Sequence, residues 1–386
     1  MKLENNQAFL LLVRQGIDHS SYNTCLDQLD NRTLAIDWCQ IKHLAEEQGL
    51  SAIVLDGIEK MPEQMRPPQI LLLEWIGEVL QEYESRYQAY EKSIGEMARF
   101  YNSHGFKMMI IKGYACSKDW PKPDHRPCGD IDIWQFGKQK EADATIEAEK
   151  PVQVVLCKQS DQGRAQGGQK FKVDRSHHHH TVFNWGEFMV ENHYDFVNVH
   201  ANRTNAQLEV IFKELGNDDS NFTKLHGEKV YLPSPNLHAL FLLRHAIIEF
   251  AATDISLRQL LDWAFFVEKH GRDVDWHWLE NVIDKYGMKE LYGVFNAICV
   301  EDLGFKSNIF NYVQFNPSTK DRVLREILYP QYDKTKAHDS VAISRIIFKF
   351  KRWKGNAWKR QLCSNDSSWS TLWNSVWGHF LKPASI

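Results

Sequence analysis

A change of hydrophobic period at Gly105 divides this chain into parts that cannot share one kind of secondary structure. Ile76, Val79, Leu80, Tyr83, Tyr87, Tyr90, Ile94, Met97 and Tyr101 recur at three- and four-residue steps. That spacing predicts one long amphipathic helix whose stripe is core packing. It follows the Pro67-Pro68 breaker and stops at Gly105, a residue suited to leaving a helix in the left-handed conformation. Beyond Gly105 the pattern shortens. Residues 106–111 form an apolar run, and Ile131 and Ile133 alternate with Asp130 and Asp132, predicting a strand with one apolar and one acidic face. Strand-like stretches recur at 153–156, 181–185 and 188–194, and the polar, glycine-rich 159–168 reads as a loop. From Asn202 the helical pattern returns. Ser234 is an N-cap ahead of Pro235, opening an apolar helix through Phe250, and a second helix over 255–270 ends before Gly271.

The fold class expected from this order is α+β: a small mixed sheet flanked by helical regions. The expected division is a helical region over 1–104, an α/β core over 105–215, and a helical region over 216–386 with a basic, Trp-rich tail. The chain has 386 residues, 43% hydrophobic and 25% charged, which suits two or three globular domains and excludes wholesale disorder. A net charge of −4 gives no overall attraction to nucleic acid or an anionic membrane. No apolar run approaches the roughly 18 residues of a membrane span, and the polar lead before Ala8 makes a poor signal peptide. Cys25, Cys39, Cys116, Cys128, Cys157, Cys299 and Cys363 are odd in number and scattered, with no C-x-x-C. They read as reduced thiols of a cytoplasmic protein, not as a disulfide frame or zinc site.

The chemistry concentrates in residues 110–133, IIKGYACSKDWPKPDHRPCGDIDI. Asp130 and Asp132 leave one strand on the same face, about 6.6 Å apart at the backbone. Two carboxylates that close repel unless a cation sits between them. Oxygen ligands suit Mg²⁺ or Mn²⁺, and such an ion would bring nucleotide phosphates as further ligands. A solvated strand edge with two incidental aspartates is the plainer alternative for D-x-D alone. Lys112-Gly113 sits where a strand turns into a helix, a place where backbone N–H groups can approach phosphate. In Val190-Glu191-Asn192-His193, Glu191 and His193 share one strand face, so Glu191 supplies a third carboxylate for a two-metal site if its strand lies beside that of Asp130.

Taken together these residues resemble the uncharacterised nucleotidyltransferase family of bacteria, within the superfamily related to DNA polymerase beta. The resemblance rests on Lys112-Gly113, Trp120-Pro121-Lys122-Pro123 with Arg126, Gly129-Asp130-Ile131-Asp132, Val190-Glu191-Asn192-His193 and Leu257-Arg258-Gln259-Leu260-Leu261-Asp262. The segment 36–50, IDWCQIKHLAEEQGL, is similar to the family's N-terminal arm. It implies a polymerase-beta-like core and transfer of a nucleoside monophosphate from an NTP to an unidentified hydroxyl acceptor. Asp130, Asp132 and Glu191 would be catalytic and would hold two Mg²⁺ (or Mn²⁺) ions, with Lys112, Gly113 and Arg126 at the nucleotide. Tyr114 follows the motif glycine where the superfamily usually has Ser or Gly, and the gap to Asp130 is long, so Lys112 and Arg126 are the cations available to clamp phosphate. A structural pairing of Arg126 with a nearby carboxylate is the competing reading. A catalytically silent member of the fold and a D-x-D glycosyltransferase are alternatives. The second fits worse, because no nucleotide-binding α/β region precedes its D-x-D.

Other features have plainer explanations. His177-His178-His179-His180 reads as a polar strand start near the site rather than a metal ligand run, since alternation sends two histidines to each face. Arg258 and Asp262 have the spacing of an i,i+4 ion pair, and His245 sits on an apolar helix as a core histidine. Between Val341 and Asn365 seven basic residues interleave with Ile346, Ile347, Phe350, Trp353 and Trp358, with no acid. A terminal helix laying its apolar stripe on the protein explains this stretch better than contact with nucleic acid, membrane or glycan phosphate.

Overall fold

The structure is a computed structural model that describes residues 2–17, 36–149, 171–311, 314–332 and 342–363. The expected strand at 153–156 and loop at 159–168 lie outside the described residues, as do Cys25, Cys157, Trp369, Trp373 and Trp377.

The chain forms two compact units, and neither is continuous in sequence. Among the described residues, the first takes those before Tyr90, the segment Ala115–Cys128, and those from Pro235 to Cys363; the second takes Tyr90–Tyr114 and Gly129–Ser234. The long helix is shared out between units, and the motif around Trp120 leaves the middle region for the helical one.

The regular structure of the first unit is helical, with no strand among its described residues. Asp37 caps Trp38–Gln48 by accepting from the N–H groups of Cys39 and Gln40, and Gly49 closes that helix at φ +64°. Pro235–Ala252 starts at the expected proline, and Leu257–His270 opens with a capping box between Ser256 and Gln259. The expected long stripe runs through Gln69–Glu78, a π-helical stretch Val79–Ser85, and Arg86–Ser103. Val79, Tyr83, Tyr87, Tyr90, Ile94, Met97 and Tyr101 are buried, whereas Leu80 is exposed. The wider π turn shifts the phase of the stripe, which is why a constant 3.6 period misplaces Leu80.

The second unit is built on one mixed sheet. Its strands are β1 (Met109–Ile110), β2 (Ile131–Trp134), β3 (His180–Trp185), β4 (Phe188–His193), β5 (Phe222–Leu225) and β6 (Glu228–Tyr231). Their spatial order is β3-β4-β2-β1-β6-β5. β2 runs parallel to β4, β1 parallel to β6, and the remaining pairs are antiparallel. The β5–β6 hairpin turns on His226 and Gly227, both at positive φ, the conformation of a two-residue primed turn. One sheet face is apolar, with Ile131, Ile133, Phe183, Phe188 and Val190 buried. Tyr90 meets Phe188 edge-on there at 5.1 Å. On the same face Asp143, from the helix Gln139–Glu149, accepts hydrogen bonds from Asn192 (2.8 Å) and Thr181 (2.9 Å). Burial raises the Asp143 pKa to about 6.

Candidate active site

The opposite face of the same strands carries the polar groups, because alternation leaves every second residue there. Asp132 pairs with Glu191 across β2 and β4, and His180 pairs with His193 across β3 and β4. Register thus sets Asp132, Glu191, His193 and His180 on one surface. His193 Nε2 lies 3.1 Å from Asp132 Oδ1 and 3.6 Å from Glu191 Oε2, and His180 Nδ1 is also 3.6 Å from Glu191 Oε2. Ligand atoms of Asp132, Glu191 and His193 all lie within 4.8 Å of one another. That spacing and donor set fit a divalent cation.

Asp130 stands one residue ahead of β2. Its pKa is raised to about 6, first by burial and then by the charge of Asp132, with Glu191 adding and Lys112 opposing. Lys112, Asp130, Asp132 and Glu191 are thus electrostatic neighbours. Burial works against a charge on His193, but hydrogen bonds to Asp132 and Glu191 outweigh it and lift its pKa to about 10. In return, and against the effect of its own burial, Glu191 is held below the usual carboxylate range by His193. A proton on His193 Nε2 therefore sits between two carboxylates, where a cation belongs. Burial lowers the His180 pKa to about 4.

The backbone around these groups is fixed. Gly113 follows Lys112 at φ +54°, and a Cβ there would fall 2.3 Å from the Tyr90 hydroxyl. That hydroxyl donates to the Asp130 carbonyl at 2.8 Å. One tyrosine thus packs on the Lys112-Gly113 turn and holds the start of the Asp130-Ile131-Asp132 strand. After β4, His193 Nδ1 bonds the Asp195 carbonyl at 3.2 Å, and Glu209 accepts from the N–H groups of Phe196 and Val197, each at 3.0 Å. The Nδ1 bond fixes the ring so that Nε2 faces the carboxylates.

A family model described as uncharacterised nucleotidyltransferase matches residues 35–303. The chain belongs to that family. No curated protein and no solved structure matches it. The matched span contains every candidate site residue of this nucleotidyltransferase and ends before the basic stretch at 342–363. No described helix is long and apolar enough to cross a membrane.

Arg126 belongs to the helical unit. It is 3% exposed, and its Nε and Nη2 donate to the two oxygens of Asp262 at 2.8 and 2.9 Å. Trp120 Nε1 donates to the same carboxylate at 2.8 Å. Lys122 and His125 both reach Asp56, at 2.6 and 2.8 Å. The segment from Trp120 to Arg126 is therefore an anchor, and the two motifs around Arg126 and Asp262 are halves of one buried contact. Asp262 takes hydrogen bonds from Arg126 and Trp120, and Arg258 acts on it as a neighbouring charge. His245 is half-buried and 3.4 Å from Glu249, while the buried histidine of that helix is His238. In the basic stretch, Lys359 is buried against Glu326 (2.8 Å) and the Thr253 carbonyl (2.8 Å), and Trp358 packs on Phe250. The sequence pattern alone did not single out His193 as a candidate ligand; its place two residues after Glu191 on a strand was the available signal.

Proposed function

We propose that the chain transfers a nucleoside monophosphate from an NTP to a hydroxyl acceptor on a polymerase-beta-like core, by a two-metal mechanism. The observation that supports this best is the β2–β4 register, which sets Glu191 beside Asp132 with Asp130 next in line. Asp130, Asp132 and Glu191 are the ligands for Mg²⁺ or Mn²⁺, and His193 stands among them. When bound, the ions neutralise the triphosphate and lower the pKa of the acceptor hydroxyl. The acceptor oxygen attacks the α-phosphorus, its proton passes to Glu191 or solvent, and the bond to the β-phosphate oxygen breaks, releasing pyrophosphate. Lys112 and the Gly113 backbone are the phosphate contacts. Arg126, whose guanidinium edge is taken by Asp262, supports the adjoining loop.

Incubating the full chain with Mg²⁺ and each NTP, and measuring pyrophosphate release and self-nucleotidylation, tests the reading. The expected result is turnover with at least one NTP that falls about a hundredfold or more in Asp130→Asn. Turnover and Mg²⁺-dependent nucleotide binding left intact in that variant would overturn it.

A further inference from the structure

We infer that the sheet carries a site for a nitrogen-preferring transition ion of the Zn²⁺ class, held by His179, His180 and His193 with Glu191 as the oxygen ligand. His179, His180 and His193 each present a ligand atom, and these atoms lie within 4.8 Å of one another. Two come from the start of β3 and the residue before it, and the third from the end of β4. The histidine run does not chelate by itself; strand pairing brings His193 to it, with His180 and His193 directly opposite.

Three observations point to an ion and not to a cluster of incidental rings. His180 is 6% exposed, and neither of its ring nitrogens makes a hydrogen bond. Leaving a ring buried with no hydrogen bond is costly, and an ion on one of its nitrogens would relieve part of that cost. Glu191 Oε2 lies 3.6 Å from both His180 Nδ1 and His193 Nε2. Ligands bound at about 2.0–2.1 Å in a tetrahedron stand about 3.4 Å from one another, so this spacing is close to that of a zinc site. The supports are also in place. The His179 carbonyl accepts from the N–H groups of Tyr194 (3.0 Å) and Asp195 (3.1 Å), Tyr194 Oη donates to the His177 carbonyl (2.8 Å), and His193 Nδ1 is fixed by Asp195. His193 thus has the second ring hydrogen bond that usually accompanies a metal-bound histidine, and the run before β3 is pinned through its backbone.

Imidazole ligands favour Zn²⁺ and its neighbours over Mg²⁺, which keeps to oxygen. Because Nδ1 of His193 is committed, Nε2 serves one ion at a time. An ion on the histidines therefore withdraws His193 and Glu191 from the Asp132 group. The site stands whether or not nucleotidyl transfer takes place beside it.

Equilibrium dialysis of the chelator-stripped full chain against Zn²⁺, in the presence of millimolar Mg²⁺, measures it directly. The expected result is one tight equivalent, weakened tenfold or more in His180→Ala and in His193→Asn. The equivalent is retained in Asp130→Asn and in the double variant His177→Ala/His178→Ala. Co²⁺ added to the unmutated chain should give the intense visible absorption of a tetrahedral site, a readout that needs no substitution. No tight equivalent in the wild type, or one unaffected by His180→Ala, would overturn the inference. So would a loss in the His177/His178 variant without one in His193→Asn, since that marks chelation by the run alone.

Discussion

At the level of single residues, Gly113 and Tyr90 constrain the backbone beside the candidate site. The left-handed φ at Gly113 disfavours any side chain by roughly 1–2 kcal/mol, and a Cβ would also strike the Tyr90 hydroxyl at 2.3 Å. Gly113→Ala should therefore destabilise the fold by about 2 kcal/mol or more. Tyr90→Phe removes the obstructing oxygen and with it the hydrogen bond to the Asp130 carbonyl. In the double variant the two losses should fall short of additive by about 1 kcal/mol. Urea denaturation of the four proteins checks this; strict additivity would show that the hydroxyl does not govern the turn. The acidic residues themselves were legible from the sequence. Period-two alternation puts Asp130 with Asp132 and Glu191 with His193 whatever the tertiary structure. That Glu191 faces Asp132 is a matter of register between strands nearly sixty residues apart, which alternation alone does not encode.

Elements were legible where their signals are local and strong. Pro235 and the Ser256 cap mark helix starts that the structure reproduces within two residues. β5 and β6 went unread because Phe222-Thr223-Lys224-Leu225 and Glu228-Lys229-Val230-Tyr231 are short, half polar and at or near a sheet edge, where burial leaves little pattern. The contact of Trp120 and Arg126 with Asp262 spans 136 or more positions, and no periodicity reports such a separation. Its energetics are testable. Burial opposes ionisation of Asp262, but Arg126 outweighs it and holds the carboxyl below its ordinary value. A depressed folded-state pKa contributes stability above the unfolded value, near 4, and that contribution is lost as pH falls through the folded value. Asp262→Ala strands a buried guanidinium and should cost about 3–5 kcal/mol at neutral pH. The gap between wild type and variant should narrow below about pH 4. Denaturation midpoints at pH 7 and pH 3.5 provide the check, and a gap that does not shrink in acid would show that the ion pair is not its source.

Across the whole molecule, the candidate site lies in a six-stranded sheet unit, and the remaining described residues form a helical unit assembled from three separate stretches of the chain. We propose that one sheet face binds a nucleotide through a divalent cation held by Asp130, Asp132 and Glu191. Calorimetric titration with a non-hydrolysable NTP, with and without Mg²⁺, in the wild type and in a folded Asp132→Asn variant, tests it most directly. The expected result is Mg²⁺-dependent binding in the wild type that weakens tenfold or more in the variant. Binding that ignores both Mg²⁺ and the loss of Asp132 would contradict it.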